Sequence, residues 1–154
     1  MAEMILWSIA LPGFAQLLNK RYIKGILFIL LEIIINVMAN FNEIIVLSFL
    51  GEIELAIERT NYQWLMFYPC LYFFAMWDAY KDAGGAKNRY TSVPFAFAAY
   101  FVTVGLIFSS ELRLFGVLLG PMWLPISFVP IGVGIGFLIK WLLIRFSKQK
   151  HLEG

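Results

Sequence analysis

The chain has few of the residues from which most active sites are built. Its 154 residues include one cysteine, Cys70, and one histidine, His151. A single cysteine excludes an intramolecular disulfide, and its place in an apolar stretch makes packing its expected role. One histidine, in the tail, excludes a His-based metal or acid–base pair. No Ser–His pairing and no phosphate-cradling glycine loop is present, so neither a cofactor nor a metal is expected. Charge is scarce as well. Charged residues make up 14% of the chain and hydrophobic residues 61%, whereas soluble domains carry about 25% charged residues. Such a chain cannot cover a water-facing surface. There is no nucleic-acid signature, no repeat and no low-complexity tract.

The few charges are sorted. Lys20, Arg21 and Lys24 precede the first of four long apolar stretches, Lys81, Lys87 and Arg89 separate the second from the third, and Lys140, Arg145, Lys148 and Lys150 close the chain. The alternate connections carry Glu43, Glu52, Glu54, Glu58 and Glu111, with Arg59 and Arg113 as their only basic residues. Basic residues concentrate on the cytoplasmic side of membrane proteins. The alternation therefore predicts an all-α membrane protein: a four-transmembrane-helix bundle in the plasma membrane with both termini cytoplasmic. Spans are expected at about 22–41, 62–80, 93–110 and 126–146, with an acidic outer loop over 42–61. The basic ends are expected to meet anionic lipid headgroups, and the glycines of the last span offer a surface for a membrane-protein partner or a second copy.

The segment 4–18 is apolar but broken by Pro12-Gly13. About 15 helical residues reach only ~22 Å, short of the ~30 Å of hydrocarbon, and no basic residue precedes them as in a signal peptide. Residues 1–21 thus read as a broken interfacial or re-entrant segment. The outer loop suits a short surface helix over 43–58, with a strand over 52–58 as the alternative. In the second span, Tyr62 and Trp64 at one end and Trp77 and Tyr80 at the other bracket the two interfaces, and Pro69 is expected to kink it. Gly84-Gly85 marks its stop, and Ser92 or Thr91 with Pro94 marks the next start. Residues 114–125, with Pro121 and Pro125, read as an irregular outer loop. The last helix either runs to 146 or ends at 139, leaving a basic tail. Gly132 and Gly136 have the small-xxx-small spacing that lets helices approach closely.

Two acids stand out. Glu32 lies near the middle of the first span, where an ionised acid costs ~2.5–3.5 kcal/mol on insertion scales. Asn36 and Asn40 follow at four-residue intervals on the same helix face. This polar stripe reads either as a proton, ion or headgroup site with Glu32 protonated or paired, or as helix glue through hydrogen bonds. Asp78 lies near the C-terminus of the second span, where its charge opposes the helix dipole. That calls for a cationic partner from Lys81, Lys24, Arg21 or Lys140, and the ion pair would tie the N-terminal segment to the second span.

The run Leu11-Pro12-Gly13-Phe14-Ala15-Gln16, then Asn19-Lys20-Arg21-Tyr22-Ile23-Lys24-Gly25 opening a span, and Trp77-Asp78-Ala79-Tyr80 closing the next, resembles the TM2-like small bacterial membrane proteins. The resemblance covers about residues 8–83. It implies a helix pair joined to a polar N-terminal turn, with Gln16, Asn19, Lys24 and Asp78 as signature positions, and it implies no known reaction. Ala15 stands where the family usually has glycine, and the acidic loop is longer. The expected function is that of a non-enzymatic accessory, assembly or regulatory membrane subunit. The alternative is a small transporter or a lipid- or ion-handling protein built around Glu32.

Overall fold

The computed structural model describes residues 2–87 and 89–150, and the side chains of 6–87 and 89–147. His151 and the side chains of Lys148 and Lys150 lie outside the described residues. The chain is helical almost throughout. In order it forms α1 (Ala2–Ala10), α2 (Phe14–Leu18), α3 (Tyr22–Ala39), α4 (Phe41–Phe49), α5 (Ile53–Arg59), α6 (Tyr62–Leu65), α7 (Tyr68–Asp82) and α8 (Val93–Phe108). A two-strand hairpin, β1 (Arg113–Leu114) and β2 (Val117–Leu118), precedes the long α9 (Gly120–Lys150). Among the described residues, two helices are long and apolar enough to cross a membrane: Tyr22–Ala39 and the Gly120–Ser147 part of α9.

Local chemistry sets these boundaries. Pro12-Gly13 separates α1 from α2, and Gly13 takes φ 96°. A Cβ there would stand 2.5 Å from the Gly25 carbonyl oxygen, so only glycine permits both the turn and the contact with α3. Asn40, at φ 59°, ends α3 in the left-handed region that asparagine tolerates. The second long stretch is divided at Met66–Phe67, and Pro69 lies in the first turn of α7. A first-turn proline gives up no helical N–H bond. α7 stops at Asp82, with Gly84 at φ 82° just beyond.

Neighbouring helices run antiparallel. Along α3 and α7, Lys24 meets Asp78, Phe28 meets Phe74 and Ala39 meets Asn61. Between the second and third stretches, Tyr80 meets Phe95 at one end and Tyr62 meets Ser109 at the other. The N-terminal segment runs in the same direction as α7, with Ile9 level with Tyr72 and Asn19 level with Ala79.

Several sequence expectations are refined or corrected. The acidic loop is two helices, α4 and α5, and no strand forms over 52–58. Residues 114–125 are not irregular: a β-hairpin turns at Phe115-Gly116, both at positive φ, and α9 begins at Gly120. That helix runs unbroken through Pro125 and Pro130 to Lys150, beyond the expected 126–146, and the alternative end at 139 does not occur. Cys70, expected in packing, is exposed.

The bundle has an apolar core around Ile44, Leu65 and Leu106, and its outer surface is largely apolar as well. The buried stripe of α3 is Gly25, Phe28, Glu32, Ile35 and Ala39, and its outer face carries bare Ile23, Ile26, Leu30, Ile33 and Val37. Elsewhere the interior holds Gln16, Ser48, Asp78 and Ser109 beside small Ala15, Ala75, Ala79 and Ala98. Large apolar side chains, Phe74 and Phe137 among them, face outward. Water would penalise this arrangement at about 25 cal/mol per Å² of apolar surface. A hydrocarbon solvent would not.

Candidate functional site

The densest polar contacts lie where α2 meets the end of α7. The helical repeat of α7 puts Ala75, Asp78, Ala79 and Asp82 on one side, and α2 with the start of α3 presents Gln16, Asn19, Arg21 and Lys24 to it. Lys24 Nζ donates to Asp78 Oδ1 at 2.7 Å and to Asp82 Oδ2 at 3.2 Å. Arg21 Nε adds a weaker contact to Asp82 Oδ2 at 3.6 Å. Gln16 Nε2 donates to the Ala75 carbonyl at 2.8 Å and to Asp78 Oδ2 at 3.3 Å. Asn19 Nδ2 donates to the Ala79 carbonyl at 3.2 Å.

The Asp78 carboxylate thus has a cation on one oxygen and an amide on the other. It is buried, with 7% of its surface exposed. Removing one partner of such a pair leaves an uncompensated charge, whereas the intact arrangement offsets the unfavourable helix dipole. Gln16 is fully buried, and its Oε1 has no hydrogen-bond partner among the described residues.

Of the cationic partners considered for Asp78, Lys24 holds it directly. Arg21 reaches Asp82 instead. Lys81, one position along α7 from Asp82, points elsewhere: its ammonium lies 5.2 Å from the Trp77 ring centroid. Lys140 belongs to α9, with its ammonium 6.0 Å from the Phe137 ring. Asp82 was missed from sequence. The signal was available, since it lies four residues after Asp78 and so on the same helix face.

The Glu32 stripe comes apart. Glu32 is buried, and its Oε2 has no hydrogen-bond partner among the described residues. Asn36 is half-buried and donates to Asn42 Oδ1 at 3.2 Å. Asn40 is exposed, forms the cap between α3 and α4, and donates to the Arg59 carbonyl at 3.0 Å. A four-residue interval drifts around a 3.6-residue helix, so the stripe leaves the interior as it nears the end of α3. Tyr68 and Tyr72 of α7 lie within electrostatic reach of Glu32. No set of His, Cys, Asp and Glu among the described residues could hold a metal ion.

Gly132 and Gly136 face α8. A Cβ on Gly132 would stand 2.7 Å from the Phe97 carbonyl oxygen, and one on Gly136 would stand 2.5 Å from Pro94 Cα. Gly105 of α8, missed from sequence, makes the reciprocal approach to Pro125. Gly134 faces open space.

No family model matches the chain, and neither a curated protein nor a solved structure does.

Proposed function

We propose that the chain is a four-span protein of the bacterial plasma membrane, with both termini cytoplasmic. It acts through helix and lipid contacts as an accessory, assembly or regulatory subunit and has no catalytic chemistry of its own. The observation that carries this reading is the bare aliphatic and aromatic outer surface of the bundle, with Glu32, Gln16 and Asp78 buried within it. Helices α3 and α9 supply two crossings by length. The α6–α7 pair and α8, packed antiparallel between them, supply the other two. Arg21, Lys24, Lys81, Lys87, Arg89 and Lys140 then fall at one end and Glu43, Glu52, Glu54 and Glu58 at the other, and the basic end is cytoplasmic.

The polar groups are used in pairing rather than in chemistry. The charges of the α2–α7 cluster are paired with one another, which suits a structural latch better than proton transfer to a substrate. The meeting of Gln16, Asn19, Lys24 and Asp78 also supports the TM2-like resemblance, whose signature positions these are. Purification in mild detergent tests the reading. Co-purification of a defined membrane protein, or of a stable homo-oligomer, is expected; a lone monomer that turns over a small molecule would overturn it.

A second reading, a small transporter or ion-handling protein, is favoured by the unpartnered carboxylate oxygen of Glu32. Proton or ion flux into vesicles that is lost in Glu32→Gln, with the fold retained, would establish it.

A further inference from the structure

Two apolar cavities lie end to end between α7, α8 and α9. The larger, of about 470 Å³, opens toward the Glu43 end and is walled by Phe41, Leu65, Leu106, Pro121 and Pro125. The smaller, of about 310 Å³, runs toward the Lys24 end. They meet at Phe73, Met76 and Val129, which line both, and so make a track along the bundle that these side chains narrow. Both volumes fall within the roughly 300–1,000 Å³ of small-molecule sites.

The walls are mostly hydrocarbon: Tyr68 and Tyr72 line the larger cavity, and Lys140, Thr91 and Tyr80 line the inner mouth of the smaller one. Tyr80 is two residues beyond Asp78, which puts this mouth level with the polar latch. Among the described residues Lys140 has no acidic partner, its one contact being the Phe137 ring. The hydroxyls of Thr91 and Tyr80 have no hydrogen-bond partner among those residues either. Lys140 is half-buried, whereas Lys24, paired with Asp78 and Asp82, and Lys81, over the Trp77 ring, are exposed.

We propose that this track binds one anionic phospholipid, with its phosphate at Lys140, Thr91 and Tyr80 and one acyl chain lying past Phe73, Met76 and Val129. The charge and the two hydroxyls suit a phosphate oxygen set. A free inorganic phosphate would leave the apolar track unused, and an uncharged lipid would leave the ammonium unpaired. Water is a poor occupant, because a site lined by hydrocarbon gives it too few partners. The proposal rests on the membrane reading above and names the lipid class and the residues that select it.

The test uses the full chain purified in mild detergent and exposed to mixed micelles of phosphatidylglycerol or phosphatidylcholine, with bound lipid read by native mass spectrometry. One phosphatidylglycerol is expected to be retained in preference to phosphatidylcholine. Lys140→Gln should weaken that retention about tenfold, the loss of one charge-assisted contact. Val133→Phe, which fills the inner track, should also weaken it, and Thr91→Val serves where the bulkier variant fails to fold. Lys87→Gln removes the same charge from an exposed site and should change nothing. Equal retention by Lys140→Gln and the parent overturns the site. So does an equal loss in Lys87→Gln, equal retention of phosphatidylcholine, or displacement of the lipid by millimolar inorganic phosphate. Alkaline carbonate extraction separates the two proposals. Release from the membrane defeats the membrane reading, whereas a chain that stays embedded but keeps no lipid defeats the site alone.

Discussion

Lys24 and Asp78, 54 positions apart in the chain, meet at 2.7 Å and fasten the start of α3 to the end of α7. The contact fixes the register of the helix pair, because Phe28 then falls against Phe74 and Ala39 against Asn61. With Gln16 and Asn19 on the same helix, it also holds the short α2, which is too short to be stable alone.

Asp78→Asn should therefore lower the thermal stability of the protein in detergent. The expected loss is about 1.5–3 kcal/mol, the range for a hydrogen bond to a charged group. Lys24→Gln should lose a comparable amount. Arg21→Gln should cost less, since its contact with Asp82 is longer and the side chain is well exposed. An unchanged melting profile for Asp78→Asn would remove the latch.

Glu32 should behave in the opposite way. Its buried Oε2 has no partner among the described residues, and replacing an unsatisfied polar group by an apolar one of similar size relieves a desolvation cost. Glu32→Leu is expected to raise stability by about 1 kcal/mol or more, and Glu32→Gln to leave the fold intact. Thermal melts of both variants decide it. A clear loss in Glu32→Leu would mean that the carboxyl bonds within the bundle.

The α8–α9 contact separates three glycines that look alike in sequence. Gly136→Val and Gly132→Val should each cost about 1–3 kcal/mol by overpacking against α8. Gly134→Ala meets open space and should be neutral or slightly stabilising. Equal effects at all three positions, read in chemical denaturation, would contradict the packing.

Side-specific labelling tests the orientation. In a Cys70→Ser background, a cysteine at Glu54 and one at Lys87 should react with an impermeant maleimide from opposite faces of the membrane. Labelling of both from one face would overturn the four-span arrangement.

Much of this was legible in the sequence, for identifiable reasons. Pro12-Gly13, Gly84 and Ser92-Pro94 punctuate the chain through backbone sterics, which act locally, so the breaks around them follow directly from sequence. Asp78 was legible as a group needing a cation, because an acid at a helix C-terminus is in the wrong place. Which cation answered was not, since Lys24, Lys81, Arg21 and Lys140 differ only in how the helices are rotated against one another. The start of α9 was hidden by its prolines. Pro121 falls in the first turn, where a missing N–H costs nothing, but Pro125 and Pro130 sit in the interior, and a breaker count treats all three alike. The Glu32–Asn36–Asn40 stripe failed through the arithmetic of the helix: exact fours wander from the buried face, which follows 25, 28, 32, 35 and 39.

The prolines inside α9 have one further consequence. Neither Pro125 nor Pro130 can donate to the turn before it, so the carbonyls of Pro121 and Ile126 lack their usual helical donors. α9 is thus weakest in its first third, beside the point where Gly105 of α8 packs against Pro125. A rod of 31 residues, about 46 Å at 1.5 Å per residue, is longer than a bilayer core and must tilt or bend to fit one. These two interrupted turns are where it would yield, so membrane thickness would set the angle between the first turns of α9 and the remainder.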